Sequence, residues 1–241
     1  DVNILSNDTN RINIDSGGDI SFYEDTGTTA KFFWDASAES LGIGTSSPNA
    51  LVDLKDTTPT LRLTDDRSIN WVGNETLGNI EFFTSDPSAS GTHVTGFIKN
   101  VNDRTGGSTQ VAGALTFGVA DYDTAASEAM RIDSSGNVGI GTDSPSRLLT
   151  VKDTSAQMAI VSDTNQSSVL NFGDTADDNI GRIQYNNADN SMTFRTNTSD
   201  AVTIDSSGNV GIGTDSPSSY YATTLVVDAP DEDGITVVSP N

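Results

Sequence analysis

A glycine-rich sequence motif, called the glycine phrase below, occurs three times along this chain. It constrains the fold more than any other feature. The letters SSGNVGIGTDSPS occupy Ser134–Ser146 and again Ser206–Ser218, and the shorter form LGIGTSSPN occupies Leu41–Asn49. Self-similarity of this kind predicts a repeat architecture in which each copy is one supersecondary unit. The predicted repeats are a partial one at 1–55, then 56–153 and 154–228, followed by the start of a further segment at 229–241.

The phrase predicts a β-hairpin. In the second copy, Met130 and Ile132 alternate with polar residues before a turn, and Val138 and Ile140 alternate after it, as expected of half-buried strands. Asp, Gly and Asn in the turn favour tight backbone geometry. The first copy has a turn that is one residue longer and lacks the glycine, so its geometry is predicted to differ. The predicted core positions are Leu41, Ile43, Met130, Ile132, Val138, Ile140, Val202, Ile204, Val210 and Ile212.

The glycines of the phrase alternate with these apolar residues and therefore fall on the opposite side of the strand. Glycine inside a strand usually marks a close approach of another backbone. The predicted close-packing glycines are Gly42, Gly44, Gly139, Gly141, Gly211 and Gly213. A neighbouring chain is the simplest candidate for the packing partner. After the glycines, a Ser-Pro turn leads into a further predicted strand that contains Leu149 and Val151.

Nucleotide and catalytic motifs fit the chain poorly. Gly139 and Gly141 are followed by Ser144 where a dinucleotide fingerprint requires glycine, and Pro145 blocks the helix that should begin there. No Gly-Lys-Ser/Thr sequence ends a phosphate loop. The single histidine, His93, is most simply a polar loop residue, and carboxylate pairs for glycoside cleavage cannot be chosen without distances. We predict neither enzymatic activity nor a cofactor.

The acidic residues indicate an all-β chain with exposed turns. The net charge is −22, and Asp outnumbers Glu by 28 to 6, which favours turns over helices. This charge argues against nucleic acid and anionic membrane surfaces as partners, and no apolar run is long enough to insert into a membrane. Cysteine is absent, and no EF-hand pattern occurs, although calcium between subunits is left open.

The apolar pattern predicts association. Hydrophobic residues make up 34% of the chain and are arranged in short alternating pairs, so each repeat has only a thin apolar stripe. A repeat that cannot bury its apolar face alone must stack on neighbours. Identical chains that associate along these stripes would bury them and cover open strand edges, with the acidic turns outside.

The phrase IDSSGNVGIGTDSPSRLLTV resembles the recurring GNVGIGT-x-SP word of bacteriophage tail fibres and related virion appendage proteins. The resemblance covers three short stretches and carries no catalytic residues. It implies an elongated homotrimeric β-rich fibre in the virion, which contacts other virion proteins and a host-surface glycan or protein. In many such proteins a cleaved C-terminal chaperone domain follows, but no such pattern is present here. Both ends of the chain are expected to be cut.

The predicted function is therefore structural: a section of a trimeric tail fibre that spaces or presents a host-binding end. A tailspike-like polysaccharide depolymerase and a bacterial surface adhesin are the alternatives. The second repeat is predicted to contain an inserted loop near residues 84–113, which is the expected place for a receptor loop; a purely structural extra hairpin is the alternative. The receptor-loop candidates are His93, Arg104, Gly106 and Gly107.

Overall fold

The fold is almost entirely β-structure. A computed structural model describes residues 1–67, 72–85, 93–104, 111–121, 124–219 and 225–227. Within these ranges the chain forms strands grouped in three six-stranded sheets and a single 3-10 turn at Pro217–Ser219. This confirms the predicted all-β class with short strands, hairpins and little helix. Residues 1–154 and 155–241 form two compact units, of which the first contains two sheets and the second contains one.

Each sheet lies within one sequence repeat. Sheet 1 consists of β1 (Val2–Ser6), β2 (Thr9–Ile14), β3 (Ile20–Tyr23), β4 (Ala30–Asp35), β5 (Ser40–Ile43) and β6 (Val52–Leu54). Sheet 2 consists of β7 (Thr76–Thr84), β8 (His93–Asn102), β9 (Gly113–Val119), β10 (Ser127–Ile132), β11 (Val138–Ile140) and β12 (Leu149–Val151). Sheet 3 consists of β13 (Ser167–Phe172), β14 (Gly181–Asn186), β15 (Ser191–Thr196), β16 (Ser199–Ile204), β17 (Val210–Ile212) and β18 (Leu225–Val227). The first repeat, predicted to be partial, thus contains as many strands as the others.

All three sheets have the same topology. Five strands follow one another as antiparallel neighbours, and the sixth returns beside the fifth in parallel. In sheets 1 and 2 only residues 44–51 and 141–148 connect the two parallel strands. Parallel neighbours usually need a crossover of a dozen or more residues, often a helix. The glycine phrase builds this short connection, so it closes a sheet within one repeat.

The predicted hairpin is confirmed. Met130 pairs with Ile140 across it, and the turn is held by Asp133. The Oδ1 atom of Asp133 accepts a hydrogen bond from the main-chain N–H of Asn137 at 2.8 Å, and its Oδ2 accepts one from the Asn137 side chain at 3.0 Å. Gly136 has a φ of +85°, a conformation that favours glycine.

The turn of the first copy differs, as its extra residue predicted. Asp35 Oδ1 accepts hydrogen bonds from the N–H groups of Ser37 and Ala38 at 3.0 and 2.9 Å. Glu39, with a φ of +50°, occupies the left-handed region that glycine occupies in the other copies.

Few apolar side chains are buried within the chain. Among the described residues, the buried apolar side chains are Phe33, Phe97, Val101, Ala114 and Val226, whereas 34 large apolar side chains are exposed. All five buried residues lie on the sheet face that carries the strand glycines, as the pairing of Phe33 with Gly42 and of Val226 with Gly211 illustrates. The other face of each sheet therefore remains open.

The described residues in the range 84–113 are mainly part of sheet 2 and not of an inserted loop. They contain β8, the second strand of the sheet, which pairs with β7 and β9 along its length. By position in the sheet, β8 corresponds to β14, because each is the second strand of its sheet. Part of the extra length of this repeat lies in longer strands, since β8 has ten residues and β14 has six.

The Asp205 turn provides a test of the hairpin. Hydrogen bonds from the side chain and then the main chain of Asn209 hold the pKa of Asp205 below its usual value of 3.8. These bonds therefore stabilise the turn above the ordinary pKa, and the contribution is lost as pH falls through the lowered pKa. Asn209→Ala should raise the pKa of Asp205 in a ¹³C-NMR titration of labelled aspartate, with Asp205→Asn identifying the signal. Ser206→Ala should leave the pKa unchanged; an unchanged pKa in Asn209→Ala would contradict this account.

Candidate functional site

One face of sheet 1 carries two rows of apolar side chains that cross all six strands. Cross-strand partners define both rows, and every position in them is apolar. Row one contains Ile4, Ile12, Phe22, Phe32, Ile43 and Leu54, and row two contains Val2, Ile14, Ile20, Trp34, Leu41 and Val52. Phe22 and Phe32 touch edge to face with ring centroids 5.1 Å apart, a favourable aromatic geometry.

The other two sheets repeat this face. In sheet 2, row one contains Ile80, Ile98, Phe117, Met130, Ile140 and Val151, and row two contains Gly78, Asn100, Leu115, Ile132, Val138 and Leu149. In sheet 3, row one contains Leu170, Ile183, Phe194, Val202, Ile212 and Val227, and row two contains Ser168, Tyr185, Met192, Ile204, Val210 and Leu225. We call the face that carries these rows the apolar face.

The apolar faces are open and uncharged. No row contains Asp, Glu, Lys or Arg, although 19% of the chain is charged. Ile43, Ile140 and Ile212 occupy equivalent places in row one and are 41%, 42% and 42% exposed. All ten core positions predicted from the sequence lie in these rows; their burial between chains stays a prediction. Sequence reasoning missed the rows in β1–β4, where short alternating stretches such as RINI and ISFY carried the signal.

The strand glycines lie on the opposite face, against their own chain. A Cβ atom at Gly139 would stand 2.5 Å from the carbonyl oxygen of Thr142, and one at Gly211 would stand 2.6 Å from that of Thr214. Gly42 faces the carbonyl of Thr45 in the same way. The connection to the sixth strand thus crosses the sheet on the glycine face. The close contacts described for these glycines come from this connection, and no second chain is needed to explain them.

The second glycine of each phrase has a different role. Gly44, Gly141 and Gly213 have φ values of +81°, +70° and +75°, which side chains rarely adopt. Their N–H groups donate to the fourth strand or the residue beside it; the Gly141 bond to Ala129 is 3.0 Å. A Cβ at Gly44 or Gly141 would also meet the carbonyl of the lysine that follows the sixth strand.

The Thr, Ser and Pro residues of the glycine phrase stabilise the connection between the fifth and sixth strands. The Thr142 hydroxyl accepts a hydrogen bond from the Ser144 N–H at 3.3 Å, and Thr214 does the same for Ser216 at 3.2 Å. The proline follows: Pro217 is buried and would contact a Cβ at Gly211 at 3.4 Å. Gly, Thr, Ser and Pro are therefore required by one compact crossover.

A buried arginine anchors the second hairpin. The guanidinium of Arg131, whose residue is 3% exposed, donates to both carboxylate oxygens of Glu128 at 2.7 and 2.9 Å and to Asp103 at 3.0 Å. Asp103 also accepts hydrogen bonds from the main chain and hydroxyl of Ser134, both at 2.8 Å. Glu128 above all raises the pKa of Arg131. Because Asp103 accepts hydrogen bonds from both Arg131 and Ser134, the cluster joins the residue that follows β8 to the hairpin turn.

The predicted receptor-loop residues do not converge. His93 is the first residue of β8, whereas Arg104 lies two residues beyond its other end. At about 3.3 Å per residue, the ends of this ten-residue strand are roughly 30 Å apart. Gly106 and Gly107 lie outside the described residues. The two described candidates therefore cannot share one small site.

The described ranges contain a polar cavity but no cluster of metal ligands. No group of three or more His, Cys, Asp or Glu there could hold a metal ion. A polar cavity of about 500 Å³ lies on the glycine face and is lined by Lys99, Arg131, Lys152, Thr116 and Thr142, among others. In the same part of the chain, no helix has the length and apolar character needed to cross a bilayer.

Comparisons with known proteins identify only distant structural likenesses. No family model matches the chain, and no curated protein does. The chain is similar to the carboxy-terminal domain of the bacteriophage T5 L-shaped tail fibre, with 10% identity and a TM-score of 0.36 over 78% of this chain and 98% of that one. A structure of that domain with its intramolecular chaperone domain gives 10% identity and a TM-score of 0.37 over 78% and 68%. Likenesses at this level carry no functional conclusion for this chain.

A pair of glycines in sheet 3 tests the crossover. Gly211→Ala should lower the free energy of unfolding by about 1–3 kcal/mol, because the new Cβ collides with the Thr214 carbonyl. Gly181→Ala is the matched control, since its Cβ would have only ordinary contacts at 3.5 Å. Denaturant midpoints at one protein concentration compare the two variants. Equal effects would contradict the role assigned to the glycine phrase.

Proposed function

We propose that this chain is a structural section of a phage tail fibre or related virion appendage, in which three copies associate through their apolar faces. In this role it spaces or presents a host-binding end and contacts other virion proteins. The observation that carries the proposal is the uncharged, open pair of rows on each sheet. Three such faces in one chain exceed the scattered exposed apolar residues normal for a monomer.

Charge supports contact between copies at these faces. Each chain carries a net charge of −22, so two copies repel one another wherever their acidic surfaces meet. The apolar faces provide the surfaces on which copies can approach without bringing charges together. Burying one exposed Ile, Leu or Phe side chain is worth about 1.5–3 kcal/mol. Six-strand rows on three sheets therefore offer a large favourable free energy to offset the repulsion.

The polar character of the glycine face supports its placement on the outside of the proposed fibre. It carries the crossover, the Asp-held turns and the Arg131 cluster, and its few apolar side chains are covered by the chain itself. A fibre whose apolar faces point inward would present this polar surface to solvent. The number of copies and the virion location rest on the resemblance of the GNVGIGT-x-SP word to phage tail fibres.

Charge insertion in row one tests the proposal. Ile140→Asp and Ile212→Asp each place a carboxylate on an apolar face, where burial of an unpaired charge is strongly unfavourable. Sedimentation velocity should show the wild type at about 76 kDa, three times the chain mass of 25.2 kDa, and both variants without that species. Asn171→Asp, on the exposed glycine face of sheet 3, adds the same charge and should keep the trimer. A trimer that survives Ile140→Asp would refute the proposed interface.

A further inference from the structure

Two short segments recur ahead of sheets 2 and 3 without main-chain partners. Each follows a Lys-Asp-Thr sequence, in which Asp56 or Asp153 accepts a 2.6 Å hydrogen bond from the next N–H group. Residues 60–64 and 157–161 then run as irregular chain. Among the described residues, none of their N–H or C=O groups forms a hydrogen bond. We call these the linking segments.

The linking segments have the pattern of strands. Leu61 and Leu63 alternate with Thr60, Arg62 and Thr64, and period-two alternation is the signal of a half-buried strand. The second segment places Met158 and Ile160 at the same spacing after its Lys-Asp-Thr sequence, and its residues Ala159 and Val161 are apolar as well. The exposed fractions agree between the copies, at 68% and 51% for Leu61 and Leu63 and at 65% and 45% for Met158 and Ile160.

The first linking segment lies over the apolar face of its sheet. Leu61 and Leu63 line a cavity of about 470 Å³ together with Ile80, Ile98 and Leu115, which belong to the apolar rows. The Leu63 side chain is 3.5 Å from the position of a Cβ at Gly78, the first residue of row two. Leu63 thus covers the place where that row lacks a side chain.

The second segment ends at the equivalent place. Ser162, which directly follows it, has its hydroxyl 3.1 Å from that of Ser168. Ser168 is the first residue of row two in sheet 3, as Gly78 is in sheet 2. The first segment, and the residue that directly follows the second, are therefore associated with the face that the proposed function buries.

Burial of that face creates a requirement for hydrogen bonds. A main-chain group removed from water without a partner costs about 1–3 kcal/mol, and each segment has five residues of such groups. The sheet beneath cannot supply the partners, because ladder hydrogen bonds lie in the plane of a sheet and not across its face. An open edge strand on another copy can supply them.

We infer that the linking segments pair through main-chain hydrogen bonds with edge strands of a second copy of this chain. The inference rests on the proposed association and adds strand exchange to side-chain packing. A second copy fits as the occupant because, among the described residues, the outer strands of each sheet have no ladder partner on their outer side, and because the segments carry a single charged side chain, Arg62.

Hydrogen exchange on the intact 241-residue chain tests this pairing. In the assembled protein, amides of both linking segments should exchange at least about 100-fold more slowly than in the unfolded chain, as hydrogen-bonded strands do. The amides of β9 serve as the protected reference. In Ile140→Asp, which should not assemble, the linking segments should lose protection while β9 keeps it. If Ile140→Asp does not fold, the test rests on the wild-type protein, in which the exchange rates of the linking segments are compared with those of β9.

The outcomes separate the two proposals. Trimers whose linking segments exchange at the unfolded-chain rate would overturn strand exchange and leave the apolar interface intact. Protected segments in a protein that sediments as one chain would overturn both. Protection that appears only in the assembled protein supports the inference.

Discussion

The contact between a threonine carbonyl and a bare glycine controls the form of each sheet. At Gly42, Gly139 and Gly211 the connecting chain lies so close that no Cβ can be accommodated. This contact lets a short connection return the sixth strand in parallel, without the helix that such crossovers usually need. Because the connection uses the glycine face, it does not cover the apolar face, over which Leu61 and Leu63 lie in sheet 2.

The two faces of each sheet have different roles, one in holding the sheet together and the other in the proposed association. The glycine face holds the buried apolar side chains and the ion pairs of Arg131, so each sheet is ordered from that side. The apolar face has rows of exposed side chains and no charge. A chain with five buried apolar residues among those described has little hydrophobic stabilisation of its own. Stability and association are therefore coupled, and the proposed fibre role follows from the same arrangement.

Local patterns in the sequence predicted the parts of the structure that local chemistry determines. The Asp133 turn, the strands around it and the altered first turn at Glu39 all follow from residue types within the phrase. The alternation of Val138 and Ile140 with Gly139 correctly separated the two faces. The glycine phrase occurs once in each of the three sheets, and the repeat boundaries stay a prediction.

The pairing of strands that are distant in the sequence could not be predicted from local patterns. The parallel return of β6, β12 and β18 depends on a crossover that places a threonine carbonyl on a glycine, which no pairwise propensity encodes. The sequence predicts an insertion at residues 84–113, but this range contains β8, which is longer than β14 and holds the same second place in its sheet. The separation of His93 and Arg104 also required knowledge that the residues between them are extended.

The central claim is that the apolar faces are buried between identical chains. Sedimentation equilibrium of the unmodified chain over a wide range of concentration and at physiological salt measures this directly. The account predicts a single species of three chains across that range. A folded, monodisperse species of 25.2 kDa would contradict it.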